Sequence, residues 1–150
     1  MISKKKIAIT IAVITIIIIS IIAVTSFFSW QLSVTLSEVE NTIRSFIGEL
    51  NSYDAAGAWA LTSQTYHNLF PGGFANFKAF VNSLNATQWH AEIQNITKKS
   101  IETENGKTIA NFTLTASVTD IDQGTYTIKW IFTLTKNNNQ WLIDNWRPEH

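Results

Sequence analysis

The amino-acid sequence predicts an α+β protein in which helices precede a bent, four-stranded antiparallel sheet. Apolar residues recur at helical spacing between positions 39 and 84, and the spacing changes to strict alternation after position 88. Turn signals rich in Asn, Asp and Gly separate the alternating segments. Because helices and strands form separate blocks along the chain, an α+β arrangement is favoured over a regular α/β alternation.

The N-terminus carries a basic tip followed by a long apolar run. Three lysines at positions 4–6 precede an Ile-rich stretch over residues 7–30 that contains no charged residue. A bilayer core needs about 20 apolar helical residues. We therefore expect residues 7–30 to form a transmembrane helix that contacts the lipid bilayer. The positive-inside rule then predicts a single-pass signal-anchor in the cell membrane, with residues 1–6 in the cytoplasm and the C-terminal domain outside.

A cleaved signal peptide is the competing interpretation of the same run. The best cleavage position lies between Thr25 and Ser26. The run is longer than the roughly 7–15 apolar residues of a signal peptide, which favours an uncleaved anchor. We expect a short stalk over residues 31–36 and one extracytoplasmic domain over residues 37–150.

Composition excludes several function classes. The chain has no cysteine, so neither a disulfide framework nor a thiolate site can form. Without the three N-terminal lysines, eight basic residues stand against eleven acidic ones. That balance argues against nucleic acid as a partner, since nucleic-acid binding requires a basic patch.

The first helix of the predicted domain opens on a capping box, with Ser37 as N-cap and Glu40 three residues later. One apolar stripe at helical spacing follows. It consists of Val39, Ile43, Phe46, Ile47 and Leu50.

Two further helices are predicted before the strands begin. Asp54 is a natural N-cap for a second helix that ends near Ser63, and residues 65–70 add a short helical turn. Pro-Gly-Gly at 71–73 is a firm break. Apolar residues at helical spacing then predict a third helix over residues 74–84.

The hairpins fix a testable register for the sheet. Asn105-Gly106 is a two-residue hairpin signal, and residues 120–124 form the next turn. Pairing Val118 with Tyr126 across that turn places the apolar residues of both flanking strands on one face of the sheet. The register also pairs Ala116 with Ile128, Leu114 with Trp130, Phe112 with Phe132 and Ala110 with Leu134.

The outer two strands are less regular or shorter. Alternation in the first strand changes parity at Ile96 and returns at Ile101, which predicts one or two β-bulges. The last strand covers residues 141–146 and is stopped by Pro148.

This order of elements resembles the nuclear-transport-factor-2-like superfamily, which includes ketosteroid-isomerase-like and SnoaL-like domains. The resemblance rests on Ile43-Arg-Ser-Phe46, on Tyr53-Asp54-Ala-Ala-Gly-Ala58-Trp-Ala-Leu61-Thr-Ser63 and on the closing Gln140-Trp141-Leu-Ile143-Asp-Asn-Trp146. It implies a cone-shaped, cystatin-like α+β fold over about residues 37–146. It is a pattern of elements without a catalytic motif, so it implies fold rather than function.

Two acidic positions invite a chemical interpretation, and each has a structural alternative. Tyr53 and Asp54 lie between the first two helices, where the resemblance implies acid–base chemistry; a helix N-cap beside a core aromatic is the alternative. Asp144 would be a base with a raised pKa if it faced the interior. Strand alternation that turns Trp141 and Ile143 inward turns Asp144 outward.

No metal and no cofactor are expected. His67, His90 and His150 are not spaced as metal ligands. The Asp120–Gly124 segment resembles the start of a calcium loop but lacks the closing glutamate, so a hairpin turn explains it better.

Five tryptophans fall in the predicted domain, and the sequence leaves open whether they fill the core or line a ligand pocket. They are Trp59, Trp89, Trp130, Trp141 and Trp146. Three of these tryptophans and three polar residues form the predicted pocket set, which is Tyr53, Trp59, His67, Trp89, Trp130 and Asp144.

We expect a membrane-anchored, non-enzymatic module that binds a ligand or another protein. The alternative is an isomerase- or hydratase-like enzyme acting on a small apolar substrate in the cone. The other sheet face carries Ile131 with Leu142 and Trp146, which predicts a homodimer surface.

Overall fold

The computed structural model describes residues 4–149, apart from the side chains of residues 4–12, 30, 32–34 and 104. The first residues of the predicted basic tip and His150 lie outside the described residues. The chain divides into two compact units, Met1–Ser37 and Glu38–His150.

A single helix, α1, begins at Lys4 and ends at Asn51. The predicted stalk over residues 31–36 is helical, and Ser37 lies inside the helix rather than at its N-cap. The physical reason is that the chain has neither proline nor glycine before Gly48, so nothing in the sequence interrupts the helix.

The membrane predictions are contradicted within the part of the chain that the structure describes. There, no helix has an apolar stretch long enough to cross a membrane. This finding overturns the predicted transmembrane helix over residues 7–30, the signal-anchor and the single-pass cell-membrane localisation.

The second unit is built from the end of α1, three further helices and four strands among the described residues. The helices are α2 (Ala55–Ala60), α3 (Gln64–His67) and α4 (Phe74–Ala86). The strands are β1 (His90–Glu104), β2 (Lys107–Asp120), β3 (Gly124–Asn137) and β4 (Gln140–Pro148). The strands form one antiparallel sheet in the order β1-β2-β3-β4, which confirms the α+β class.

Local side-chain bonds explain where the short helices begin. The Asp54 carboxylate accepts hydrogen bonds from the backbone N–H groups of Ala56 and Gly57, both at 3.0 Å, which confirms Asp54 as the N-cap of α2. The Ser63 hydroxyl accepts from the Tyr66 N–H at 3.3 Å and caps α3. These caps satisfy N–H groups that a helix leaves without internal partners.

The central hairpin has the predicted register. Val118 pairs with Tyr126 and Leu114 with Trp130, and the other predicted pairs also match. The β1–β2 pairing shifts between Ile93 and Asn95 and again between Lys98 and Ser100, which confirms two irregularities in the first strand.

The β3–β4 pairing contains a shift that the sequence analysis missed. Thr133 pairs with Asn145 whereas Leu134 pairs with Ile143, so Asp144 is an extra residue on β4. The extra residue reverses the alternation beyond it. Trp146 therefore pairs with Phe132 on the inner face, and its predicted place on the outer homodimer surface is wrong.

The inner face of the sheet and the helices enclose a packed core. Its largest fully buried aromatic members include Phe46, Phe77, Phe112 and Phe132. Phe46 contacts the rings of Tyr66 and Phe132 edge-on, with centroids 6.3 Å apart in both cases. Such contacts add to the stabilisation from burial alone.

The outer face is more polar and is half-exposed. Ile131 and Leu142 are half-buried there, and Thr113 is a buried residue whose hydroxyl has no hydrogen-bond partner among the described residues. Association through this face stays a prediction.

Candidate functional site

An open cleft of about 430 Å³ lies between the inner face of the sheet and helices α3 and α4. We call it the aromatic cleft. Its lining residues are Tyr66, Phe70, Phe80, Leu84, Trp89, Tyr126, Ile128, Trp130, Trp146, Arg147 and Pro148.

Three tryptophans line the sheet side of the cleft. The ring centroids of Trp89 and Trp130 are 6.2 Å apart with planes inclined at 45°, and those of Trp130 and Trp146 are 5.4 Å apart at 61°. Trp130 lies on the inner face because it pairs with Leu114, a buried core residue. Trp146 joins it only because of the extra residue at Asp144. The three indoles thus form one cluster of mutually inclined rings along one side of the cleft.

Helices α3 and α4 supply the opposite side. Tyr66 on α3 is 2% exposed and packs against Phe70, with ring centroids 5.4 Å apart. The ring of Phe70 lies next to that of Phe80 on α4, with centroids 6.3 Å apart. The Ser63 cap starts the short helix that carries Tyr66, so this one hydroxyl helps to position the helix side of the cleft.

Tyr66 places a hydrogen-bond donor in the aromatic cleft. Its hydroxyl oxygen accepts a hydrogen bond from the Trp146 indole N–H at 2.9 Å. Burial raises the pKa of Tyr66 from 10.0 to about 12, and the opposing effect of the Trp146 bond is smaller. The phenol therefore stays protonated at neutral pH. No described residue accepts the proton of this hydroxyl.

Tyr126 contributes a second phenol at the β2–β3 end of the cleft. Its hydroxyl donates to Asp120 Oδ2 at 3.1 Å, while Asp120 Oδ1 accepts from the Gln123 N–H at 2.6 Å. Burial raises the pKa of Tyr126, and the hydrogen bond and negative charge of Asp120 raise it further. Tyr126 is thus a protonated phenol whose proton is already committed to a carboxylate.

The cleft brings together two of the six predicted pocket residues, Trp89 and Trp130. Trp59 and His67 instead stack on each other, with ring centroids 3.8 Å apart and planes inclined by 3°. The Nε2 atom of His67 lies 2.9 Å from the Thr62 hydroxyl. This pair belongs to the packing between helices rather than to the lining of the aromatic cleft.

Tyr53 has a structural role in the described contacts. Its hydroxyl donates to the backbone oxygen of Trp89 at 3.1 Å, and its φ of 59° makes the corner between α1 and α2. Asn51 reinforces the same junction through two bonds to the backbone of Ala91. These contacts fix the start of β1 and hence the position of Trp89.

Asp144 lies on the opposite face of the sheet from the tryptophans. Its carboxylate accepts a hydrogen bond from the Thr135 hydroxyl at 2.9 Å and forms an ion pair with Lys107 at 3.4 Å. It is 8% exposed, although strand alternation predicted a surface carboxylate. It borders a separate polar pocket of about 310 Å³, so it cannot act together with Tyr53 or the cleft tryptophans.

Tyr66, Tyr126 and Trp146 line the cleft but were not among the six predicted pocket residues. Tyr66 fell in a segment where only a helical turn was expected, and the four-residue helix α3 is too short to show an apolar period. The predicted register already placed Tyr126 on the inner face of the sheet, and this placement could have identified it as a cleft residue. Trp146 gave no signal because the irregularity at Asp144 reversed its direction.

Among the described residues, no three or more His, Cys, Asp or Glu side chains cluster in a way that could hold a metal ion. The aromatic cleft itself offers rings, two phenols and the Arg147 side chain. Its chemistry is accordingly that of contact, stacking and hydrogen-bond donation.

No family model matches the sequence, and no curated protein matches it. Solved structures do match the fold. A protein of unknown function from Mycobacterium tuberculosis is 11% identical, with a TM-score of 0.57 over 79% of this chain and 73% of that chain. A nuclear-transport-factor-2-like protein of unknown function from Shewanella oneidensis is 12% identical, with a TM-score of 0.54 over 77% and 99%.

A ketosteroid isomerase-like protein from Erwinia carotovora atroseptica is 14% identical, with a TM-score of 0.50 over 74% of this chain and 92% of that chain. At these identities the likeness shows the fold alone. The fold is nuclear-transport-factor-2-like, which supports the resemblance in the sequence. The cystatin-like description was wrong, because the matching structures are nuclear-transport-factor-2-like and ketosteroid isomerase-like.

Proposed function

We propose that this protein binds a small, largely apolar molecule in the aromatic cleft and holds one oxygen atom of that molecule through Tyr66. The single observation that supports this most is the Tyr66 hydroxyl. It is buried, protonated, oriented by Trp146 and free to donate. A buried donor with an unused proton gains a hydrogen bond when a ligand oxygen arrives, without losing an internal one.

The size and lining of the cleft fit such a ligand. Small-molecule sites are clefts of about 300–1,000 Å³ with mostly apolar walls and a few polar groups. The aromatic cleft has a volume of about 430 Å³. Seven of its lining residues carry aromatic rings, namely Tyr66, Phe70, Phe80, Trp89, Tyr126, Trp130 and Trp146.

Binding without chemistry is favoured over an isomerase- or hydratase-like activity. Such reactions need a base that removes a proton and an acid that returns it. The described residues that line the cleft include no carboxylate and no imidazole. Asp120 is the nearest carboxylate by hydrogen bonding, but Tyr126 and the Gln123 N–H already occupy its two oxygens. Tyr66 therefore has no partner base.

Acetophenone and ethylbenzene provide a matched pair of probes for the full-length chain. They differ in one carbonyl oxygen, and binding is followed by the indole N–H signals in NMR spectra. We expect Tyr66→Phe to weaken acetophenone binding about tenfold and to leave ethylbenzene unchanged. Tyr126→Phe is the control, since the hydroxyl that it removes already donates to Asp120. Failure of both probes to bind the wild-type protein would contradict the proposal.

The same sample distinguishes binding from enzymatic activity. Exchange of the acetophenone methyl protons for deuterium in D₂O reports a base that enolises the ketone. We expect exchange at the rate of the buffer alone. Exchange that is faster with protein, and slower with Asp120→Asn, would replace the binding proposal with the enzymatic one.

A further inference from the structure

We propose that the ligand of the aromatic cleft is a largely apolar carboxylic acid, and that Arg147 binds its carboxylate at the rim of the cleft while Tyr66 donates to one of its oxygens. The inference rests on the proposed function and specifies its ligand class. Among the described lining residues, Arg147 is the one that carries a full charge, and no carboxylate lies beside it. An arginine side chain is positively charged at any physiological pH. The cleft therefore combines aromatic walls with positive charge.

The position of Arg147 in β4 explains how it borders the cleft. Arg147 pairs with Ile131 near the end of the strand and follows Trp146, which lines the sheet side of the cleft. Because β4 is an edge strand, no further strand separates the two faces of the sheet beside Arg147. The residue is exposed, as expected for a group at the rim. A long side chain at this position can contact a ligand that the cleft holds.

Arg147 has no ion pair and no side-chain hydrogen bond to a described residue. Glu149 is the described acidic residue closest to it along the chain, but its carboxylate is bonded to Lys99 at 2.7 Å. The hydrogen bond from Lys99, together with the smaller effect of the Lys129 charge, lowers the pKa of Glu149 below its ordinary value. The five N–H donors of the Arg147 guanidinium thus have no acceptor in the described protein.

Tyr66 supplies a second donor to the same cleft. Its oxygen is bonded to the indole N–H of Trp146, the neighbour of Arg147, at 2.9 Å, and no described residue accepts its proton. Tyr126, the other phenol of the cleft, already donates to Asp120. The cleft therefore has two side chains whose donors lack an acceptor. A carboxylate is complementary to them, because it has acceptor oxygens and no donor.

Arg147 also decides whether a charged group can enter an apolar cleft. Burying an ionised carboxylate without a partner costs far more free energy than burying a neutral carbonyl group. A guanidinium offsets this cost, since its planar fork can form two parallel hydrogen bonds with a carboxylate. A neutral ligand of the same shape gains little from the same arginine. The preference for a carboxylate over its neutral analogue therefore measures the contribution of Arg147.

Benzoate and acetophenone form a matched pair of probes for the full-length protein. They share the ring and a carbonyl oxygen for Tyr66, and a charged oxygen in benzoate replaces the methyl group of acetophenone. At neutral pH we expect benzoate to bind about fivefold more tightly, as measured by titration calorimetry. Acetophenone binding with equal or weaker benzoate binding would overturn the carboxylate inference and leave the proposed function intact. If neither compound bound, the proposed function itself would fail.

Arg147 and Lys129 provide the matched variants. Both are exposed cations near the same end of the sheet, where the Glu149 N–H donates to the Lys129 backbone oxygen. Among the two, Arg147 lines the cleft. Arg147→Gln should remove the preference for benzoate and change acetophenone affinity less than about twofold, whereas Lys129→Gln, which removes the same charge, should keep the preference. Acetophenone binding shows that each variant is folded.

Arg147→Lys separates the guanidinium from its charge. Lysine keeps the positive charge but lacks the planar fork, so it should retain part of the preference for benzoate. An unchanged preference in Arg147→Gln would overturn the inference. An equal loss in Arg147→Gln and Lys129→Gln would overturn it as well, because the overall charge of the protein rather than contact with Arg147 would then attract benzoate.

Discussion

Phe132 and Trp130 lie two residues apart on the same face of β3, yet one belongs to the packed core and the other lines the aromatic cleft. Phe132 is fully buried beneath Phe46 of α1, with centroids 6.3 Å apart. Trp130 contacts Trp89 and Trp146 and borders open volume. Strand alternation therefore determines which residues point inward, whereas the helix lying above them determines whether they become core or pocket.

The largest expected effect is on stability, and it should differ between variants of Phe132 and Trp130. Phe132→Ala should cost about 3–5 kcal/mol of unfolding free energy, because it leaves a cavity beneath Phe46. Trp130→Ala should cost about half as much, since Trp130 borders the open volume of the cleft, and it should abolish acetophenone binding. Urea denaturation measures both variants. Equal destabilisation would show that Trp130 is a core residue like Phe132.

A pH titration sharpens the comparison at Tyr66, which lies where core and cleft meet. Its pKa is about 12 in the folded state and 10.0 as the reference for the unfolded chain. Stability from the neutral phenol is therefore fully present below pH 10 and is lost as the pH rises towards 12. The loss should approach ~2–3 kcal/mol. Tyr66→Phe should remove this component from the pH dependence of urea denaturation, and an unchanged dependence would contradict the burial of the phenol.

Asp144 should affect stability without affecting the cleft. Asp144→Ala leaves the Thr135 hydroxyl without its acceptor and Lys107 without its ion pair, which should cost about 1–3 kcal/mol. Ligand binding should remain at the wild-type level, because the two sites lie on opposite faces of the sheet. A change in acetophenone affinity larger than twofold would show that the faces are coupled.

The smallest effect is expected at Trp59. Trp59→Phe should lower stability by about 1 kcal/mol, since a smaller ring can keep the stack on His67. Calorimetric binding of acetophenone should not change. A loss of binding would return Trp59 to the ligand pocket, where the sequence had placed it.

Features that depend on a long alternation of apolar residues, or on a helix N-cap, could be predicted from the sequence. The β2–β3 register followed from alternation in both strands, and Asp54 was recognised as an N-cap from its position before an Ala-rich segment. Both signals are local, so no tertiary information was needed.

The composition of the cleft required information that a single sequence does not contain. One extra residue at Asp144 turns Trp146 inward, and nothing in the residues 141–146 marks that irregularity. The four-residue helix α3, which carries Tyr66, is shorter than the window that a helical period needs. The sequence left open whether the five tryptophans fill the core or line a pocket. In the structure they divide, because Trp89, Trp130 and Trp146 line the cleft while Trp59 and Trp141 do not.

NMR mapping of the tryptophan indole N–H groups during an acetophenone titration tests the central claim most directly. The account predicts that the signals of Trp89, Trp130 and Trp146 shift together along one binding curve. The signals of Trp59 and Trp141, which do not line the cleft, should stay in place and serve as internal controls. Shifts confined to Trp59 and Trp141, or no shift at any indole, would contradict the assignment of the aromatic cleft as a ligand site.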